Sequence, residues 1–371
     1  MTRILLVGGG HTHVEVLRRQ ALSMQPRVAF TLVSPEPSSF YSGMLPGVVA
    51  GLYAPRDAAI ALEALAGEAG APWIEDRVIG LDHDAGTATL ASGGSLAFDV
   101  VSLDVGSQPD ASIEGAGAHA IAVRPCERFF AAWQATRDDV VAGRVQRIAV
   151  IGAGAGGVEL ALAIHAACTR ANAVTNIVLA TEDASILATH GKRARARLHD
   201  ALRRRAIDVR TATRIVAIEP GSLVTAEGAR LDADRVFLAT TAIAPAWLAQ
   251  SGLRCDPRGF VLIDDSLQSV SHPFVFASGD CATMLGRLHP KSGAHAVRQA
   301  SVLAANLLAF ARGASPRRFS PRRVTLALIG TGDRRALLSY GSLAAQGAWL
   351  WRLKDRIDRK HIARYRSGVH R

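Results

Sequence analysis

The chain has 371 residues, room for two or three domains at about 150 residues each, and its 49% hydrophobic and 20% charged composition is that of a globular protein with a full core. Its net charge of +11 is almost all arginine, lysine occurring only at Lys192, Lys291, Lys354 and Lys360, and such an excess favours anionic partners, of which dinucleotide phosphates and an acidic membrane surface fit better than nucleic acid. Cys126, Cys168, Cys255 and Cys281 form no CxxC or zinc spacing, so no metal site or disulfide staple is expected, and a reducing, cytoplasmic location is.

In chain order, residues 3–7 are an apolar run, a glycine turn follows, residues 14–22 are helical in pattern, and residues 28–33 form a second apolar run. This is a βαβ unit. After it, residues 97–109 hold a strand ending at Gly106, residues 115–120 read as a Gly/Ala-rich loop, and Pro125 introduces a helix over 128–138. A second βαβ unit begins at Arg147, with a strand to Ile151, a helix to about Ala167 and a returning strand over 176–180. The repeat of one supersecondary unit about a domain length apart predicts two dinucleotide-binding folds. Short strands are expected over 260–265 and 274–277, and a helix from after Pro290 to about Ala311. Residues 324–329 and 335–340 flank Gly-Thr-Gly-Asp as a β-hairpin, and residues 349–365 form a basic amphipathic helix. The fold class expected is α/β: an FAD-type Rossmann domain in two parts (1–115 and 259–323), an inserted NAD(P) domain (116–258), and a C-terminal hairpin and helix (324–371). No run approaches the length of about 18 apolar residues that a transmembrane helix needs, and the apolar start is too short for a signal peptide.

The second turn, Gly152-Ala153-Gly154-Ala155-Gly156-Gly157, is a GxGxxG between strand and helix. Gly152 permits the tight turn, Gly154 lets backbone approach a pyrophosphate, and Gly157 allows close helix–strand packing. The helix start adds N–H donors and partial positive charge. The first turn, Gly8-Gly9-Gly10-His11-Thr12-His13, keeps two glycines but has His13 at the third position, which predicts a looser helix approach or an outward side chain. The acids that would grip a ribose are displaced: Ser34 ends the first unit with Glu36 two residues on, and Thr181 ends the second with Glu182 and Asp183 next. Glu182, without a nearby arginine, leans towards NADH over NADPH; a solvated turn is the alternative.

Together with Asp104-Val105-Gly106-Ser107 and Val275-Phe276-Ala277-Ser278-Gly279-Asp280, these turns resemble the pyridine nucleotide–disulfide oxidoreductase superfamily. Within it, Tyr41-Ser42-Gly43-Met44-Leu45-Pro46-Gly47, Pro245-Ala246-Trp247-Leu248 and Trp351-Arg352-Leu353-Lys354-Asp355 are similar to the branch found fused to selenide, water dikinase, related to type II NADH dehydrogenases. That resemblance implies FAD and NADH (or NADPH) as cofactors. It places Gly8, Gly9, Gly10, His11 and His13 near the FAD pyrophosphate and Asp280, after Gly279, on the ribityl chain. Tyr41, Gly43 and Pro46 would lie by the flavin ring, and Glu159 on the nicotinamide side. The helix starting near Ser292 would aim its N-terminus at the flavin, with Lys291 adding charge there or standing solvated. Residues 40–53 hold no cysteine, so the redox CxxxxC of the disulfide reductases is missing. Ala294 and Arg298 stand where quinone-reducing relatives carry glutamines.

The activity implied is hydride transfer from NAD(P)H to FAD, then electron delivery to a small-molecule acceptor, a quinone or another compound. Two alternatives stand beside it: a sulfur- or selenium-species oxidoreductase using thiols such as Cys126 and Cys281, and a flavoprotein redox sensor or scaffold without turnover. The arginine-rich helix 192–205 reads as a solvated face. The C-terminal helix suits peripheral contact with the inner face of a membrane, packing over the FAD domain, or a homodimer contact.

Overall fold

The computed structural model describes residues 1–110, 112–240, 242–287, 291, 293–322 and 324–366. The first unit is a five-stranded sheet in the order Val275–Ala277, Val100–Leu103, Thr2–Val7, Val28–Val33, Trp73–Ile74, every pairing parallel. Residues 4–7 and 100–103 are buried throughout, which is why they read as continuous apolar runs: a parallel sheet is covered on both faces by its crossover helices. Helix His11–Leu22 lies on this sheet against helix Gly293–Ala311.

The second unit repeats the plan, with order Ala120–Ala122, Arg235–Leu238, Arg147–Ile151, Asn176–Ala180, Asp208–Arg210, again all parallel. Its crossover helix is Ala155–Arg170. The stretch expected as a Gly/Ala loop instead holds a short helix, Ala116–His119, and an edge strand, Ala120–Ala122. Alanine is a poor strand former, so that strand exists through pairing with Val236, Phe237 and Leu238, which sequence pattern does not show. Each unit also carries an antiparallel meander that the apolar pattern did not mark: Val78–Asp82, Thr87–Leu90, Ser95–Ala97 in the first and Ile215–Glu219, Ser222–Thr225, Arg230–Asp232 in the second.

The C-terminal hairpin is present as Ala327–Gly330 and Ala336–Tyr340, and a third strand, Leu343–Gly347, extends it. Helix Ala348–Ala363 then folds back. Its apolar residues divide between two faces: Leu350 and Ile362 are buried, whereas Trp349, Leu353 and Ile357 are 57%, 38% and 46% exposed. Lys354, expected on the basic outer face, is buried together with Asp358 and His361. Among the described residues no helix is long and apolar enough to cross a membrane.

His13 turns neither outward nor into the cofactor side of the turn. It is fully buried, with Nδ1 2.7 Å from the Gly8 carbonyl and Nε2 2.8 Å from Ser102 Oγ. The imidazole fills the space that a third glycine would leave to direct helix–strand contact, and it joins the turn to the neighbouring strand. Burial pushes its pKa from the ordinary 6.5 down to about 4. The unfolded chain therefore binds the proton more readily, and stability is lost as pH falls from 6.5 through 4. Relative to His13→Gln, the wild type should lose about 1–3 kcal/mol more over that window, read from urea unfolding midpoints at matched pH.

Candidate cofactor cleft

The first glycine turn closes on one carboxyl group. Asp104, at the end of strand Val100–Leu103, accepts a 2.9 Å hydrogen bond from the Thr12 backbone N–H and another from the Thr12 hydroxyl. Thr12 Oγ1 also lies 2.7 Å from Ser278 Oγ. A Cβ on Gly10 would come within 2.1 Å of the Asp104 carboxyl carbon, and one on Gly279 within 2.4 Å of Oδ1. Gly8, at φ +94°, would place a Cβ 2.4 Å from the Asp104 carbonyl oxygen. Burial raises the Asp104 pKa to about 6, against the pull of its Thr12 hydrogen bonds. Asp104 was quoted in the sequence as part of a motif, but not as a site residue.

The glycine positions of the second turn are equally constrained. Gly152, at φ +105°, would drive a Cβ into the Ala239 carbonyl at 2.3 Å, and Gly157 would drive one into the Gly152 carbonyl at 1.8 Å. Gly154 has open space around its Cβ position, as a backbone that must admit a pyrophosphate requires.

A single cleft of about 2020 Å³ joins the two units. Tyr41, Gly43, Pro46, Asp280 and Lys291 of the first unit line it, as do Gly152, Gly154, Glu159 and Glu182 of the second. Gly8, Gly9, Gly10, His11, Ser34, Glu36, Gly106, Gly157 and Gly279 are not among its lining residues. His11 opens the helix that follows the first turn. Its Nε2 is 3.2 Å from the Phe40 carbonyl, and its buried Nδ1 has no hydrogen-bond partner among the described residues. Ser34 directs its hydroxyl to the backbone of Glu36 at 3.2 Å. Gly106 sits at φ +68° in the loop beyond Asp104. Ser292 lies outside the described residues.

Lys291 does not stand free. Its ammonium donates to the Ala282 carbonyl and, at 2.9 Å, to Thr283 Oγ1, 3.9 Å above the Phe260 ring. Burial lowers its pKa to about 8. Glu159 is likewise tied down: the Gly330 N–H donates to it at 2.6 Å. Lys354, missed as a site residue, donates at 2.6 Å both to the Gly43 carbonyl and to Asp358. The FAD-side loop, the second unit's helix and the C-terminal helix therefore converge at one point. Tyr41 packs its ring against His11 and His361 at 5.3 and 4.5 Å. Only the packing of distant segments could reveal these contacts.

The cysteines are all free. Cys281 is fully buried, its thiol directed at the Ser278 and Leu103 carbonyls, while Cys126 lines the cleft. Burial pushes the Cys126 thiol up to about 11. Among the described residues no group of three His, Cys, Asp or Glu side chains could hold a metal ion.

These features are those of a two-dinucleotide flavoprotein fold. Residues 2–300 match the model of the pyridine nucleotide-disulphide oxidoreductase family, and the chain belongs to that family. An NADH dehydrogenase-like protein of Mycobacterium tuberculosis is 26% identical over 225 residues, 58% of this chain and 56% of that one; the match thus spans about half the length of that relative. Among solved structures, the sulfide:quinone oxidoreductase of Aquifex aeolicus superposes with a TM-score of 0.84 at 17% identity, covering 99% of this chain and 92% of that one. Plasmodium falciparum NDH2, solved with NADH, gives a TM-score of 0.81 at 12% identity, covering 98% and 97%. At such identities these two establish the fold. FAD and NAD(P)H, the cofactors of the family, fit what is present: two turns in which a Cβ at Gly8, Gly10, Gly152 or Gly157 would collide with its surroundings and, at the first turn, a buried His11 nitrogen with no hydrogen-bond partner among the described residues.

Burial raises the Glu159 carboxyl from 4.5 to about 7, against the nearby Lys354 and the Gly330 N–H. Its proton is held more tightly in the folded chain, so its contribution to stability is intact below pH 4.5 and lost as pH rises through 7. Glu159→Gln keeps an acceptor for Gly330 and removes the titration. The variant's melting temperature should gain on the wild type between pH 4.5 and 8, by the equivalent of about 1–3 kcal/mol.

Proposed function

We propose that this chain is an FAD-dependent NAD(P)H:acceptor oxidoreductase, of the type II NADH dehydrogenase kind, working without a redox disulfide. The observation that carries this reading is the single cleft in which the second glycine turn opens opposite Tyr41, Pro46 and Asp280 of the first unit. When bound, the two dinucleotides supply the hydride and electron chemistry, and the protein supplies position and field.

In this reading the Gly152–Gly157 turn and the helix N-terminus behind it bind the NAD(P)H pyrophosphate. Glu182, exposed at the cleft beyond strand Asn176–Ala180, disfavours a 2′-phosphate and makes NADH the preferred donor. Glu159 and Lys354 hold the loop at Gly43 and the hairpin at Gly330 in fixed relation, so the nicotinamide and flavin sides keep their spacing. The cleft's third wall carries Val324, Leu326, Leu328 and Ile357 beside Arg322 and Thr325, and its apolar part suits a flat, apolar acceptor of the quinone class. The resemblance of Tyr41–Gly47 and Trp351–Asp355 to the branch fused to selenide, water dikinase would point to a sulfur or selenium acceptor instead. Cys126 in the cleft favours that reading, and the thiol's raised pKa works against it.

The test is anaerobic. Reconstituted with FAD, the protein should bleach near 450 nm on adding NADH, with NADPH at least about tenfold less effective. Quinone, polysulfide, selenite and oxygen, added separately, then show which restores the colour. FAD that NADH leaves oxidised would mean a sensor or scaffold, and a protein that cannot take up FAD would end the proposal.

We further propose that the chain meets an anionic membrane surface. Trp349, Leu353 and Ile357 recur every four residues along one exposed helix face, with Arg352, Arg356 and Lys360 alongside. Deleting the helix would also remove the buried Leu350, Lys354 and Ile362, so substitution is the cleaner probe. Wild type should co-sediment with phosphatidylserine-containing vesicles, and the triple variant W349S/L353S/I357S should lose at least about tenfold in binding while keeping its melting temperature. Equal sedimentation of the two proteins would remove the idea and leave a homodimer contact, read from solution mass, as the use of this face.

A further inference from the structure

Arg124, in the segment joining the two units, was no part of the expected site. Its guanidinium crosses to the first unit, donating to the Asp280 carboxylate and, at 3.1 Å, to Ser107 Oγ. Ser107 and Asp280 follow strands Val100–Leu103 and Val275–Ala277, so the pair sits beyond the carboxyl ends of a parallel sheet, where ligands of such folds bind. Arg124 lines the cleft together with Tyr41, Gly43 and Pro46, whereas the first glycine turn does not. If Tyr41, Gly43 and Pro46 lie by the flavin ring, as the family resemblance implies, Arg124 beside them would face the ring end of FAD.

We propose that Arg124 is the fixed cation facing the bound flavin, held there by Asp280 and Ser107, and that it favours the reduced cofactor. This rests on the FAD assignment above.

The orientation of the ion pair supports the role. Both side chains line the cleft, that of Arg124 38% exposed and that of Asp280 10%, so the positive end of the pair is the more open to it. The other cations are less suited. Lys354 and Asp358 are both buried, 9% and 5% exposed, and neutralise each other. Lys291 is turned onto Ala282 and Thr283. Arg214, Arg258, Arg287 and Arg322 line the cleft from exposed positions, where solvent and salt screen them. A reduced flavin carries more negative charge than an oxidised one. An oriented guanidinium in a partly desolvated cleft stabilises that difference and costs no reorganisation when electrons arrive.

The readout needs neither NADH nor acceptor. FAD-loaded wild type and variants are equilibrated with a reference redox dye under argon, and the ratio of reduced to oxidised flavin is read at a fixed dye poise. Arg124→Gln should lower that ratio at least about tenfold, and Arg124→Lys should recover part of it, since a lysine keeps the charge and loses the fork. Ser107→Ala, which frees one side of the guanidinium, should lower it less. A ratio unchanged in Arg124→Gln overturns the proposal and leaves Arg124 a link between the units. If Arg124→Gln sheds its FAD, Ser107→Ala decides, and a wild-type ratio there overturns the proposal equally. A wild type that takes up no FAD overturns both this and the reading beneath it.

Discussion

The carboxyl group of Asp104 is the point on which the first cofactor site is built. Gly10 and Thr12 of the first turn and the distant Gly279 are each placed by their approach to that one group. The Gly10 N–H also donates to the Asp104 carbonyl at 3.2 Å, and Gln299 Oε1 accepts the Gly279 N–H at 2.8 Å. A buried carboxyl is costly unless its oxygens are hydrogen-bonded. Satisfying it therefore selects one arrangement of the first turn, strand Val100–Leu103 and the Gly279–Asp280 segment. Because those segments are held, Asp280 is in place to receive Arg124, and the joining segment is drawn against the cleft.

A second constraint acts between the units. The C-terminal hairpin binds the second unit through Gly330–Glu159, Arg205–Asp333 at 2.6 Å and His190–Ser339 at 2.9 Å. The helix that follows binds the first unit through Lys354–Gly43, Tyr53–Asp355 at 2.7 Å and Tyr365–Glu15 at 3.2 Å. One continuous segment thus holds both walls of the cleft. Hydride transfer falls off steeply with misplacement of the reacting groups, so a strap of this kind bears directly on rate.

Much of the frame was legible in the chain. Strand Asn176–Ala180 and the glycine turn before helix Ala155–Arg170 follow from apolar runs and glycine spacing, because both are local. What was not legible depends on distant partners. His13 reads as a failed third glycine until Ser102 is seen beside it. Lys354 reads as one more cation on a basic helix, and only its pairing with Asp358 and Gly43 makes its burial tolerable. Lys291 was expected at the flavin or in solvent; it lines the cleft with its ammonium held by Ala282 and Thr283 over Phe260, contacts no sequence pattern shows. Strand Leu343–Gly347, rich in alanine, has little strand character of its own and is held by its partner.

The same logic bears on where electrons leave. In relatives that relay them through cysteines, the thiols must be near the flavin and able to ionise. Here Cys281 is sealed beneath the sheet ends, burial pushing it to about 12, and Cys126 stands alone at the cleft. A thiol relay would have to overcome both desolvation and the want of a partner. The apolar wall built by the hairpin and Ile357 demands neither. It lies on the segment that also carries the exposed Trp349 and Leu353, so one stretch of chain both clamps the two units and lines the cleft between them.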